Sequence, residues 1–148
     1  MSEQGRMQYI EVEVDSEKYA VSIMDIHEII KPPTLTIVPN SSDIILGVIN
    51  LRGKIITIVS LRSVFGMPRL PISKQTRVIV VNMGDEMIGI LVDRVNQVTR
   101  YSDIQAPPDH LQQAHKGLIA GIGQSNEGLV SILDLDLIFS ELSNHEHV

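Results

Sequence analysis

The chain contains no cysteine and no tryptophan, and aromatic residues make up only 3% of it. Without cysteine there is no disulfide framework and no thiolate metal site, and a reducing compartment is permitted. Scarce aromatics argue against a platform on which bases of single-stranded nucleic acid could stack. Cations are short too: 12 Lys and Arg stand against 18 Asp and Glu, a formal net charge of −6. Such a chain lacks the basic excess that supplies most non-specific affinity for nucleic acid. No apolar run approaches the roughly 18 residues of a membrane span. Met1 to Arg6 is polar and has no apolar signal core. A soluble, cytoplasmic protein is the expectation. Asn40-Ser41-Ser42 fits a glycosylation pattern that only a secretory context would make meaningful.

What is present builds a core. The 148 residues are the size of one ordinary domain, and 43% of them are hydrophobic against 20% charged. Gly47–Arg62 organises the chain, because two apolar, β-branched runs flank a polar tip at Asn50-Leu51-Arg52-Gly53-Lys54. Gly53 can take the positive φ of a tight turn. The pattern predicts antiparallel strands over Val48–Leu51 and Ile55–Leu61, with Arg52 held at the turn.

Elsewhere, Tyr9–Val14 and Tyr19–Ile23 read as strands about a turn at Asp15–Lys18. Asp25–Ile30 fits either a helical turn or a strand. Thr34–Val38 reads as a short strand ended by Pro39, and Ser42 or Asp43 as the cap of a helical turn over Ile44–Leu46. Arg62–Phe65 is expected to be a helical turn closed by Gly66. Met67–Gln75, with Pro68 and Pro71, is the candidate linker. Strands follow at Arg77–Met83, Met87–Val92 and Val95–Val98, then a long surface connection over Ser102–Ala114. Leu118–Ile122 and Leu129–Leu133 flank a Gly-rich turn. Asp134 is expected to cap a last helix with Leu135, Ile138, Phe139 and Leu142 on one face, and Ser143–Val148 to fray.

The chain also matches itself. Ile10–Ile23 aligns with Ile79–Val92 at a shift of 69, apolar on apolar at 10/79, 12/81, 14/83, 19/88, 21/90 and 23/92. Gly47-Val48-Ile49 then aligns with Gly117-Leu118-Ile119, and Gly53 with Gly123, at a shift of 70. After an insertion of four, Ile58–Leu61 and Phe65 meet Ile132–Leu135 and Phe139. Two copies of one all-β unit follow, each with about five short strands in a small barrel. Units that small have marginal cores alone, so the halves are expected to pack together and leave a groove. In this alignment Arg52, Asn50 and Glu28 face Ile122, Ala120 and Gln97, so the barrel itself does not demand those residue types.

Arg52 is the sharpest candidate for contact with another protein, because arginine's planar fork and apolar stem suit interfaces. A solvated turn charge, or an internal pair with Glu28 or Asp25, is the plainer alternative. His27, His110, His115, His145 and His147 form no recognised ligand pattern with carboxylates; His110 and His115 read as surface residues of a polar loop. Gly121-Ile122-Gly123 lacks the helix and lysine of a phosphate loop. Ser22, Ser60 and Ser131 lack a nucleophile elbow. Asp93, Asp134 and Asp136 read as strand-end and cap residues. No catalytic constellation, cofactor site or metal site is expected.

Gly47, Val48, Asn50, Leu51, Arg52, Gly53, Leu61, Arg62, Phe65 and Gly66 together resemble the signature of the CheW family, the coupling proteins of bacterial chemotaxis. Ser60 stands where that family usually has Asp. The resemblance runs from about Met7 to about Leu142. It implies one domain over 7–145, made of two tandem five-stranded SH3-like barrels (8–70 and 74–133) packed together, with short helical turns and a C-terminal helix over 134–144. It implies a non-enzymatic adaptor between the cytoplasmic tip of methyl-accepting chemotaxis receptors and the regulatory domain of the histidine kinase CheA, recruited to membrane-associated arrays without membrane insertion. Arg52 and Glu28 match positions linked to coupling there, and Gly47 a glycine whose replacement disturbs partner binding. Asn50 and Ile26 complete the expected protein-binding set. A coupling protein of a non-flagellar pathway, or a ligand- or nucleic-acid-binding β-barrel, are the alternative readings.

Overall fold

A computed structural model describes residues 7–38 and 43–146, with side chains through Ser140. The expectations for Met1–Arg6, Pro39, Ser42, the Asn40-Ser41-Ser42 pattern, the side chains of Leu142, His145 and His147, and the end of the chain at 147–148 lie outside the described residues. Among the described residues ten strands form: β1 (Tyr9–Val14), β2 (Glu17–Ser22), β3 (Ile26–Ile30), β4 (Ile45–Leu51), β5 (Lys54–Ser60), β6 (Arg77–Met83), β7 (Glu86–Val92), β8 (Arg94–Thr99), β9 (Ile119–Ser125) and β10 (Gly128–Leu133). The same residues include three α-helices: α1 (Leu61–Val64), α2 (Asp109–Ala114) and, after the last strand, α3 (Leu135–Glu146).

The strands make two five-stranded sheets, ordered β8-β1-β2-β10-β9 and β3-β6-β7-β5-β4, the basis of two SH3-like barrels. Each sheet draws on both sequence halves. The hairpin β1–β2 lies with β8, β9 and β10, and β6–β7 lies with β3, β4 and β5. The repeat copies have exchanged their first hairpins, and the exchange is symmetric down to the register. Ile132 pairs in parallel with Ala20, and Ile58 in parallel with Gly89. A bulge between Glu11 and Val12 in the β1–β8 pair has its equivalent between Ile26 and Glu28 in the β3–β6 pair.

Burial explains why β1 and β6 alternate weakly in sequence: both of their faces are covered. Ile10, Val12, Val14, Ile79 and Val81 face a central core shared by the two sheets and by Leu135, Ile138 and Phe139 of α3. Tyr9 faces its own barrel's interior, with Ala20, Tyr101, Val130 and Ile132. Val78 and Val80 face the other interior, with Ile49, Ile56 and Ile58. The first interior admits Tyr101 because residue 123 is glycine, where a Cβ would come within 2.7 Å of the ring.

Several expectations are corrected. Ile44–Leu46 is no helical turn, since β4 begins at Ile45 and Ser60 N donates to Ile44 O. Thr34–Val38 forms no strand and is joined to β4 by an isolated bridge from Thr36 to Val48. Asp25–Ile30 divides into a 3-10 turn (Ile23–Asp25) and β3. Leu61 starts α1 instead of ending a strand, with Ser60 Oγ accepting from Ser63 N. The 102–114 connection contains α2, and α3 runs to Glu146 without fraying at Ser143. Asp134 does cap α3, accepting from Leu137 N at 3.1 Å.

The repeat register is corrected as well. From Ile44 onward the equivalent residue lies 74 ahead. Gly47↔Ile58 and Ile45↔Val59 repeat as Gly121↔Ile132 and Ile119↔Leu133, and the Thr36–Val48 bridge repeats as Gln105–Ile122. The extra residues therefore lie earlier, in the connection before β9. Arg52 is equivalent to Asn126, not Ile122, and Asn50 to Gln124. The fold still asks for no arginine at the tip.

Candidate protein-binding site

Leu51 pairs with Lys54, which leaves Arg52-Gly53 as a two-residue loop. Both take positive φ, 49° and 88°, as the primed turns of tight hairpins require. Glycine does this freely, whereas an arginine in that region is strained by about 1–3 kcal/mol. The equivalent residues Asn126 and Glu127 take no positive φ. The Asn50 side chain helps hold the turn, its Oδ1 accepting from Gly53 N at 2.8 Å. Asn50 thus shapes the tip, and its side chain serves the turn.

The tip places Arg52 against Glu28 of β3. Nη1 donates to Glu28 Oε2 at 3.3 Å and Nη2 donates to Oε1. His27 Nε2 lies 3.5 Å from the same carboxylate. Because β3 and β4 are the two edges of their sheet, this pair closes the seam of the barrel. The hydrogen bond from Arg52 holds the Glu28 carboxyl below its ordinary value, and the carboxylate raises Arg52 in return. Even so, the Arg52 side chain is 66% exposed, and among the described residues its side-chain bonds to Glu28 use two of its five N–H donors.

Of the other expected contact residues, Gly47 and Ile26 are occupied within the fold. A Cβ on Gly47 would sit 2.2 Å from Thr36 O, because the 31–38 connection is zipped to β4 by Thr36 N to Val48 O and Val48 N to Thr36 O. Ile26 packs against the central core.

Arg52 borders a hollow of about 350 Å³ with His27, Leu51 and the β6–β7 turn. Across Lys54 and that turn lies a larger open groove of about 760 Å³. Ile55, Asp85, Glu86, Met87 and, from α3, Asp136 and Phe139 line it. Ile55 is 68% exposed there. Burial, and then the charge of Asp136, push the Asp25 carboxyl up. Among the described residues no group of three or more His, Asp or Glu could hold a metal ion.

Two clusters escaped sequence reasoning. Arg62, 8% exposed, donates to both oxygens of Asp93 at 2.9 and 2.6 Å, to Asp15 at 3.4 Å and to Pro68 O at 3.1 Å. It thereby ties α1 and the linker to the β1–β2 turn and the β7–β8 junction. Burial would raise Asp93, but Arg62 and the Asp15 N–H outweigh it and hold the carboxyl low. His115 is no surface residue: it packs edge-on against Phe65 at 5.0 Å, and Phe65 stacks on Tyr19 at 5.1 Å. Its place at the C-terminus of α2 turns it inward, which a reading of the segment as loop could not show.

Residues 8–143 match the CheW-like domain family. The chemotaxis protein CheW of Helicobacter pylori is 36% identical over 137 residues, covering 91% of this chain and 82% of that protein. CheW of Thermotoga maritima is 34% identical, covering 92% and 89%. The crystal structure of the scaffolding protein TtCheW from Thermoanaerobacter tengcongensis superposes with a TM-score of 0.82 at 30% identity, covering 90% of this chain and 87% of that one. No helix among the described residues is long and apolar enough to cross a membrane.

Proposed function

The chain belongs to the CheW-like family, and from that membership we propose that it couples methyl-accepting chemotaxis receptors to the histidine kinase CheA as a non-enzymatic adaptor. It is a scaffold of chemotaxis signal transduction. The observation that carries the finer reading is the Arg52–Glu28 pair, an exposed charged clasp on a rigid turn beside an open groove. A clasp fixed at both ends presents its remaining donors in one geometry, so little side-chain entropy is lost when a partner binds.

In this reading the receptor's helical hairpin lies in the groove against Ile55, Met87 and Phe139, with Arg52 bordering the adjoining hollow and Glu28 paired to it. One barrel end meets the regulatory domain of the kinase, which has the same two-barrel build. Each contact is small, and multivalency in an array makes the assembly strong. The adaptor fixes the position of the kinase and does no chemistry. It works in the cytoplasm, recruited to membrane-associated receptors by protein contacts.

The test is Arg52→Ala with Arg52→Lys beside it, measured for binding to the purified kinase regulatory domain and to a receptor cytoplasmic fragment. Both variants should keep the wild-type circular dichroism. Arg52→Ala should weaken at least one interaction by about 10- to 100-fold, as truncation of an arginine hot spot does. Unchanged binding to both partners, or loss of the fold, would remove Arg52 from the interface.

A further inference from the structure

Between Asp43 and Asp85 the sequence contains no acidic residue at all, yet it carries Arg52, Lys54, Arg62, Arg69, Lys74 and Arg77. In a chain of net charge −6 this is a strong local reversal. Arg52 and Arg62 are matched by Glu28 and Asp93. Among the described residues the three cations on and beside the linker have no carboxylate partner. Arg69 donates to Ser63 Oγ and to the Asp43 carbonyl, and Arg77 to the carbonyls of Lys74 and Thr76. All of these acceptors are neutral, and Lys74 is exposed. Nearby, Asp93 is already held by Arg62, and Arg94 stands across from Glu13 in the β1–β8 pair.

The same segment exposes apolar surface. Pro68 to Gln75 are exposed without interruption and belong to no helix or strand. Both ends are nonetheless fixed. Pro68 O accepts from Arg62, and Ser73 N donates to Thr76 Oγ1 at 2.9 Å. Leu70 and Ile72 are 58% and 54% exposed, and together with Arg69 they line a hollow of about 190 Å³ over Ser60 and Arg62. Pro68 and Pro71 stiffen the path by fixing φ. This surface lies beyond Ser60, at the far end of β5 from Arg52, about 20 Å away at ~3.3 Å per residue.

We propose that the 68–77 segment is a second docking surface, which takes an acidic, leucine-bearing peptide segment of a partner protein against Leu70 and Ile72, with Lys74, Arg77 and Arg69 matching its carboxylates. Charge complementarity selects this occupant. The segment is cationic on an acidic protein, and its two exposed apolar residues border one hollow beside Arg69, where a leucine flanked by carboxylates fits. The inference stands apart from the adaptor reading, because it uses none of the residues at the hairpin tip.

The test uses a fluorescent synthetic peptide of alternating glutamate and leucine, with a control in which lysine replaces every glutamate. The full chain should bind the first and not the second, with affinity falling as salt rises. Leu70→Ser/Ile72→Ser and Lys74→Glu should each weaken binding by about tenfold or more while leaving the circular dichroism unchanged. Equal affinity for the two peptides, or unchanged affinity in the variants, overturns the proposal. So does variant-sensitive flotation with phosphatidylserine vesicles, or variant-sensitive self-association in sedimentation velocity, without peptide binding. Either result assigns the surface to a membrane or to a second copy.

Discussion

Replacing Asp93 with alanine should destabilise the protein more than replacing Arg62 with methionine, although both changes break the same ion pair. The reason is the unequal exposure of the partners. The Arg62 side chain is 9% exposed and that of Asp93 is 33% exposed. Without Asp93, a buried guanidinium keeps only Asp15 at 3.4 Å and the Pro68 carbonyl. An uncompensated buried charge costs about 3–5 kcal/mol, and the solvent reaching Asp93 reduces this to about 3 kcal/mol. Methionine instead keeps the apolar stem of Arg62 and leaves a carboxylate that water can reach and Asp15 N still serves at 2.9 Å. That change should cost about 1 kcal/mol. In a chain of this length about 1 kcal/mol shifts Tm by ~2–4 °C, so the two variants should separate by roughly 5 °C in thermal unfolding. The acid dependence gives a second reading. Asp93 is held below its ordinary value, so its stabilisation is present above the unfolded-state pKa near 3.9 and is lost as pH falls through the lower folded-state value. The Asp93→Ala variant should lack that part of the acid loss. If Arg62→Met proves the more damaging change, or if Asp93→Ala keeps the full acid dependence, the buried-charge reasoning is wrong.

Gly47→Ala should cost about 3 kcal/mol in urea unfolding, because the new methyl meets the Thr36 carbonyl and must push the zipped connection away from β4. Tyr101→Phe should cost about 1–3 kcal/mol by the same measurement. It removes the hydroxyl that donates at 2.9 Å to Glu11, a carboxylate only 2% exposed whose other described donor is Asn96. Asn50→Ala should lower stability by about 1 kcal/mol through loss of the bond to Gly53 N, and should weaken partner binding only as far as the tip loosens.

The strands are legible from composition, as short runs rich in β-branched residues bounded by turn signals; β6, covered on both faces, carries the unbroken apolar run Val78–Val81, and the predicted bounds Arg77–Met83 are the ones it has. Their partnerships were not. Nothing local to Glu17–Ser22 says that it pairs with β10 in place of a strand from its own half. The repeat register slipped for a related reason. Shifts of 70 and 74 differ by four, which leaves every side chain on the same face of its strand, so the apolar pattern fits both. Gly53 and Gly123 then favoured the wrong one. At the site, the Arg52–Glu28 contact was readable as one of several possible pairs, since both residues stood out as unneeded by the repeat. That Arg52 spends its reach across a barrel seam required knowing that β3 and β4 are sheet edges. Arg62 was visible only as part of a motif, because its partners Asp15 and Asp93 are far from it in sequence.

The exchanged hairpins make each barrel a joint product of residues before and after the linker. Severed within 68–75, the polypeptide would yield two pieces that each lack strands their own sheet needs, and neither should fold by itself. Mixed, they should reassemble and recover the native circular dichroism.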